Sequence, residues 1–162
     1  MPVREFELFH GSVLTKLVRS DRPLTLRMIE TRPGDAWSTY RVNDEVSVLL
    51  KYSLNRRSLK REKAKAWQWQ FVFSPDQMKQ LQNAVTWYAL VCGSKFLEDS
   101  DMEVCLLDPT QIAELLDLSS TSQQSLTVKR IEGKSLRASS PRLGEEMVVA
   151  RNRVDTWNVP GS

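Results

Sequence analysis

The chain has a single histidine, His10, among its 162 residues. Histidine is the usual base beside a nucleophilic serine or cysteine and a frequent zinc ligand, and one alone cannot complete a usual zinc set. His10 lies among the apolar residues of a predicted helix over residues 5–20, where a lone histidine is usually a surface or partly buried residue. We therefore predict no catalytic residue and no metal site.

Cysteine and glycine are also scarce. Cys92 and Cys105 both lie in apolar runs, and no Cys-x-x-Cys pair occurs. This pattern predicts two buried, reduced thiols in a cytosolic protein, with a disulfide between neighbouring strands as the alternative. The six glycines form no phosphate-binding loop, and the chain lacks the GxSxG, GxGxxG and HExxH motifs. We accordingly expect no cofactor.

Long apolar runs are missing as well. The longest, residues 46–50 and 87–92, fall far short of the roughly 20 residues that a membrane-spanning helix needs. Acidic residues Glu5 and Glu7 interrupt the basic-then-apolar order of a secretory signal. We expect a cytoplasmic protein without a membrane-spanning segment.

The charges that are present fall into blocks. Residues 54–80 contain seven basic and two acidic residues, a net charge of +5. Residues 81–125 contain one basic and seven acidic residues (−6), and residues 126–162 contain seven basic and four acidic residues (+3). Like charges on one surface create a potential that steers a charged partner, so these blocks indicate where partners bind.

Alternation and capping signals predict the elements. Strands are expected at 24–31, 37–42, 45–53, 67–73, 87–92, 102–107, 126–131 and 134–138. Residues 67–73 alternate with four aromatic side chains on one face, whereas residues 87–92 are apolar throughout, as in a central strand buried on both faces. Ser74 and Asp108, each followed by proline and then glutamine, predict two capped helices.

These elements predict one domain over residues 1–162, of mixed α/β or α+β class. We expect one mixed sheet of six to eight strands with about three helices packed on it. Short hairpin links imply antiparallel pairs in the first third of the chain, and the strand-helix-strand units imply parallel pairing later. Residues 54–66 are expected to be a basic flexible segment (a loop, a short helix or a disordered stretch), and the tail from about residue 139 to be less regular.

The leading functional hypothesis is a non-catalytic domain that binds DNA or RNA. Residues 56–65 contain six basic residues and one acid, and they lead directly into an alternation of tryptophan and glutamine. Basic side chains beside aromatic ones suit a polyanion, although four large apolar side chains in register are more typical of a core. The predicted phosphate contacts are Arg56, Arg57, Lys60, Arg61, Lys63, Lys65, Lys129, Arg130 and Lys134, with Arg137 as an extension. Lys129 and Arg130 are predicted to lie on opposite faces of their strand.

A second hypothesis is an interaction module for another protein. Acidic residues cluster at Glu98, Asp99, Asp101 and Glu103 beside a predicted strand. They suit a basic partner, a second copy of this chain or the chain's own basic run at 56–65. The sequence leaves the oligomeric state open.

A third hypothesis starts from the predicted order of helix, three strands, helix and strand, with Lys51 at the end of a strand. This order resembles the core of the restriction-endonuclease-like, PD-(D/E)xK nucleases. The resemblance implies a metal-dependent nuclease in which acids bind the metal and a lysine stabilises the attacking water or the phosphate. Here the family's acid-x-Lys triplet reads Leu49-Leu50-Lys51, and the available carboxylates are Glu30, Asp44 and Glu45. The departure permits an inactive relative that binds without cutting, with an active nuclease as the alternative.

Overall fold

The computed structural model describes residues 26–32, 37–43, 46–54, 56–59, 65–82, 85–93 and 103–151, together with Gly11 and Arg153. Within these residues the chain forms ten strands and two helices. In chain order they are β1 (Leu26–Arg32), β2 (Trp37–Val42), β3 (Val46–Ser53), β4 (Arg56–Ser58), β5 (Ala66–Phe73), α1 (Pro75–Leu81), β6 (Thr86–Cys92), β7 (Glu103–Leu107), α2 (Pro109–Leu115), β8 (Gln124–Ile131), β9 (Leu136–Ser139) and β10 (Glu146–Val149).

The strands form two five-stranded sheets. Sheet A has the order β1-β2-β3-β6-β7, and its β3–β6 pair is parallel while the other pairs are antiparallel. Sheet B has the order β10-β9-β8-β5-β4, and all of its pairs are antiparallel. The chain therefore leaves sheet A after β3, contributes β4 and β5 to sheet B, and returns through α1 to place β6 beside β3.

The expectation of one mixed sheet with about three helices is wrong. The described residues form two sheets, and two helices accompany them. The physical reason lies in the faces of β5, where Trp69, Phe71 and Phe73 are buried while Gln70 and Val72 are exposed. Such a strand needs one covered face and one face in water, whereas β6 is buried almost throughout. The two kinds of strand separate into two layers that share one core.

The main core lies between the two sheets. Sheet A contributes side chains such as Leu49 and Leu90, and sheet B contributes side chains such as Phe71 and Val128. Residues from both helices join the same cluster. Side chains from two facing layers thus interdigitate, as expected for sheets that pack face to face.

Sheet A is apolar on its outer face too. Val42, Val48, Leu50 and Leu106 form a second buried cluster with their neighbours there. The alternation predicted for residues 45–53 is confirmed, because Val48 and Leu50 face outwards while Leu49 faces the shared core. Strands β2, β3, β6 and β7 of sheet A thus carry buried side chains on both faces, whereas the described outer face of sheet B meets solvent.

The two predicted helix caps are confirmed. The Ser74 hydroxyl accepts from the Gln77 backbone amide at 3.3 Å, and the Gln77 side chain accepts from the Ser74 amide at 3.1 Å. Asp108 and Gln111 form the same reciprocal pair at 2.8 and 3.0 Å. Both helices are short, and each directs its apolar side into the shared core.

Turn chemistry fixes the hairpins that the sequence predicts. Asn43, between β2 and β3, has a φ of 53°, and Gly133, between β8 and β9, has a φ of 79°. Asparagine and glycine tolerate this left-handed conformation. Of the helix predicted over residues 5–20, only Gly11 is described, and its conformation is helical. None of the described helices is long and apolar enough to cross a membrane.

Both cysteines are free and buried, as predicted. They lie on the inner face of sheet A, where Cys105 of β7 pairs with Leu90 and Cys92 of β6 pairs with Glu103. Burial raises the pKa of the Cys105 thiol to about 12, and it also raises the pKa of Cys92 well above its ordinary value. The thiols are therefore neutral and act as small apolar core residues.

Candidate functional site

The outer face of sheet B is a polar surface that several of the described strands build together. The even-numbered positions of β5 from Gln68 to Val72 point outwards, and they are exposed or half-buried. On β8 the outward positions are Ser125, Thr127 and Lys129, which are half-buried. Strand alternation thus creates one open face, rich in amide, hydroxyl and basic groups, directly behind the apolar core.

A basic row crosses this face at right angles to the strands. Arg57 of β4 lies opposite Gln68 of β5, which lies opposite Lys129 of β8, which in turn lies opposite Arg137 of β9. Residues that face each other across a ladder point to the same side of the sheet. Neighbouring strands are roughly 4.8 Å apart, so the row spans about 14 Å from Arg57 to Arg137. We call Arg57, Gln68, Lys129 and Arg137 the basic row.

In the described part of the chain, Glu146 contacts the basic row. The Lys129 ammonium forms an ion pair with Glu146 of β10 at 3.0 Å, and the two side chains are 19% and 47% exposed. Glu146 lies opposite Ser139 of β9, one strand beyond the row's last member. Lys129 therefore extends across β9 towards the edge of the sheet.

Arg56 and Lys65 do not join this face. Arg56 lies opposite Trp69, which places it on the side of the sheet that faces the core. Its guanidinium covers the Trp67 ring at 3.9 Å from the centroid, and the Lys65 ammonium is 5.4 Å from the same centroid. This geometry is typical of a cation–π contact, so both cations help to cover a half-buried tryptophan.

The tryptophans themselves belong to the core rather than to a stacking surface. Trp69 is completely buried, and its indole N–H donates to the Gly93 carbonyl at 2.7 Å. Trp67 packs against the same cluster. The alternative that four aromatic side chains in register form core is therefore confirmed for this strand, and bases cannot stack on Trp69.

Arg130 is held between the sheets. Its side chain forms an ion pair with Glu103 of β7 at 3.1 Å, and Arg151 binds the same carboxylate through its Nε at 2.9 Å. Arg130 therefore faces away from Lys129, as the strand alternation predicts. Lys134 is exposed in the β8–β9 turn. Lys60, Arg61 and Lys63 lie outside the described residues.

The described part of the acidic block contacts the last part of the chain. Glu103 pairs with Arg130 and Arg151, and Asp108 pairs with Arg153 at 2.9 Å. Burial raises the pKa of Asp108, but hydrogen bonds from the Gln111 amide and Arg153 outweigh it and hold the pKa below its ordinary value. These acids therefore neutralise arginines of their own chain, while Glu98, Asp99 and Asp101 lie outside the described residues.

Two depressions border the same face. One of about 390 Å³ lies between the end of β3 and β5, and one of about 240 Å³ lies between β5, β8 and the loop that carries Arg142. Gln70 and Val72 line both of them, and none of the described lining residues is acidic. The polar face thus continues from the basic row towards Arg142.

The residues of the nuclease hypothesis do not assemble a metal site in the described part of the chain. Lys51 is 6% exposed and donates to the Gln77 side-chain oxygen at 3.4 Å, and its ammonium lies 5.3 Å from the centre of the Phe73 ring. Glu30 belongs to β1, opposite Thr39, and Asp44 and Glu45 lie outside the described residues. Among the described residues no group of three or more histidine, cysteine or acidic residues could hold a metal ion.

The fold thus places the described residues predicted to contact phosphate on two different faces of sheet B. Arg57 and Lys129 meet in one row with Arg137, whereas Arg56 and Arg130 face inwards. Sequence reasoning missed Glu146, because the short edge strand β10 falls in the stretch expected to be irregular. The alternation of Met147 and Val149 after Gly144 was the available signal. No protein-family model, curated protein or solved structure matches this chain.

Proposed function

We propose that this chain is a non-catalytic domain that binds nucleic acid, DNA or RNA, on the outer face of sheet B. The observation that supports the proposal is the basic row, in which register aligns Arg57, Lys129 and Arg137 across four neighbouring strands. Three cations within about 14 Å on a polar sheet face suit the repeating phosphates of a nucleic-acid backbone.

The contacts would be made to phosphates rather than to bases. No aromatic residue points outwards from the described strands of sheet B, and the tryptophans of β5 belong to the core side. Proteins that bind unpaired bases stack them on exposed aromatic side chains. Phosphate contacts, in contrast, carry no sequence information directly. We therefore expect binding that is insensitive to base sequence and sensitive to salt.

Further cations would flank the row. Lys65 and Lys134 are both exposed. Lys134 is in the β8–β9 turn, and Lys65 lies near this turn because its carbonyl accepts from the Glu132 amide at 2.9 Å. Lys60, Arg61 and Lys63 stay predicted contacts on sequence grounds alone. Arg56 and Arg130 have a structural role in this proposal. Arg56 packs on Trp67 and Arg130 pairs with Glu103, and both contacts stabilise sheet B, which carries the basic row.

The test is fluorescence anisotropy with labelled single-stranded DNA, duplex DNA and RNA. Wild-type protein should bind, and the logarithm of its affinity should fall with the logarithm of the salt concentration with a slope of about −2 to −3 for three phosphate contacts. The double variant R57Q/R137Q should weaken binding of all sequences about equally and reduce the slope by about 2.

The control is K79Q, which removes an exposed positive charge from α1 rather than from sheet B. It should change affinity less than R57Q or R137Q alone, because it tests net charge without touching the row. If no probe binds at low salt, or if R57Q/R137Q binds as wild type does, the proposed function or its site is wrong.

The other two hypotheses remain proposals with less support. A protein partner would tolerate R57Q/R137Q unless it docks on this face, so capture that survives the double variant would favour it. A metal-dependent nuclease would cleave DNA with Mg²⁺ or Mn²⁺ and lose that activity in K51A. Cytoplasmic location is likewise a prediction, and the two free buried thiols are consistent with it.

A further inference from the structure

We infer that Glu146 is a built-in competitor for the nucleic-acid phosphate at Lys129, so that ligand binding exchanges one anion for another on this ammonium. The inference rests on the proposed function and deepens it, because it names the contact on the binding face that regulates affinity. Its geometric basis is the ion pair between Lys129 and Glu146 at 3.0 Å on the same open face as the basic row.

The register shows how this contact interrupts the row. Lys129 lies directly between Gln68 and Arg137 in the ladder, so its ammonium can extend to either side of β8. Glu146 lies two residues along β10 from Val148, the residue opposite Arg137. The ion pair therefore draws the ammonium diagonally across β9, away from Arg57 and towards the sheet edge.

The exchange is feasible because the carboxylate is accessible to solvent. The Glu146 side chain is 47% exposed and the Lys129 side chain is 19% exposed, so water solvates the carboxylate both in the ion pair and after a phosphate has replaced it. A phosphate of a bound strand offers more acceptor oxygens and gains the neighbouring Arg137 as a second donor. Phosphate can thus replace the carboxylate without leaving a buried charge uncompensated.

The matched variants are E146Q and E145Q, because Glu145 is the adjacent exposed acid and both changes raise the net charge by one. Binding to a labelled single-stranded oligonucleotide and to a labelled duplex is measured by anisotropy at low salt. We expect E146Q to tighten binding by about twofold to fivefold, the factor that corresponds to one exposed ion pair. E145Q should change affinity by less, since it acts only through the distant field.

A double-variant cycle isolates the competition. K129Q should weaken binding modestly in the wild-type background, where Lys129 must first leave Glu146. In the E146Q background the same change should cost more, by about the factor that E146Q gained. Circular dichroism spectra of all variants should coincide, because these side chains are on the surface.

The outcomes separate this inference from the proposed function. If wild type binds and R57Q/R137Q abolishes binding but E146Q and E145Q are equal, Glu146 is not a competitor and the face is still the site. Equal costs of K129Q in the two backgrounds would overturn the inference in the same way. If neither wild type nor E146Q binds any probe, the proposed function fails and the inference fails with it.

Discussion

The two sheets face each other with similar inner surfaces, yet their outer surfaces differ. On sheet A the outward side chains Val48 and Leu50 are fully buried. On sheet B the corresponding apolar side chains Val72 and Val148 are 42% and 54% exposed, among glutamines, hydroxyls and the basic row. The described outward side chains of sheet A are thus covered, whereas sheet B presents an open face to solvent.

The largest difference between the two sheets is expected in the reactivity of their thiols. Cys92 and Cys105 are buried on the inner face of sheet A with raised pKa values, whereas a cysteine introduced as V72C would lie on the open face of sheet B. At pH 8 we expect V72C to react with a maleimide about a thousandfold faster than the native thiols, which must wait for an opening of about 4 kcal/mol. The reaction is followed by mass spectrometry.

Native cysteines that react as fast as V72C would show that the inner face is not sealed. A useful control is the same reaction in denaturant, in which all three thiols should react at similar rates.

The second test compares the outer faces directly. Leu50→Ala removes a fully buried side chain from sheet A, and we expect it to lower the free energy of unfolding by about 2–5 kcal/mol. Val148→Ala on sheet B should change it by no more than about 0.5 kcal/mol, because that side chain is half in water. Urea denaturation measures both. Similar losses for the two variants would mean that the outer faces are equally covered in solution.

The third test concerns the ion pairs of the two regions. Glu103→Gln removes the carboxylate that Arg130 and Arg151 share between the sheets, and we expect a loss of about 2 kcal/mol because the Glu103 side chain is only 11% exposed. Glu146→Gln removes an exposed pair on the open face and should cost under about 1 kcal/mol. If both cost the same, the two sheets do not depend on Glu103 for their attachment.

The smallest effect is expected at the cap of α2. Asp108 has a lowered pKa, so its charge stabilises the folded state above the ordinary pKa near 3.8, and this stability is lost as pH falls through the folded value. Asp108→Asn keeps a capping group but loses the charge, and we expect a cost of about 0.5 kcal/mol at pH 7 that disappears as the pH falls through the folded pKa of Asp108. Asp76→Asn in the first turn of α1 is the control. A cost that does not change with pH would contradict the role given to the charge.

Much of the local structure could be predicted from the sequence. The capping boxes at Ser74 and Asp108 and the faces of β5 follow from short-range chemistry, and the structure confirms them. The edge strands β4 and β10 could not be predicted, because short polar strands carry too little hydrophobic alternation. The division into two sheets was missed since alternation shows which face of a strand is buried, but not which strands pair.

The candidate site, too, could be predicted from the sequence only in part. The opposite orientations of Lys129 and Arg130 follow from strand alternation and were predicted. The alignment of Arg57, Lys129 and Arg137 depends on the register between strands distant in sequence, which no local pattern specifies. The ion pair of Arg130 with Glu103 likewise requires the two sheets to be in contact.

Between β3 and β6 of sheet A, the chain contributes two strands to sheet B, and this order affects how the protein folds. The parallel partner of β3 is β6, which is synthesised only after β4, β5 and α1. The partner of β5 is β8, which is synthesised later still. Each sheet is thus completed by strands that follow strands of the other sheet in the sequence. A chain emerging from the ribosome would hold half-finished sheets until β8 appears, so we expect slow, all-or-none folding dominated by long-range contacts.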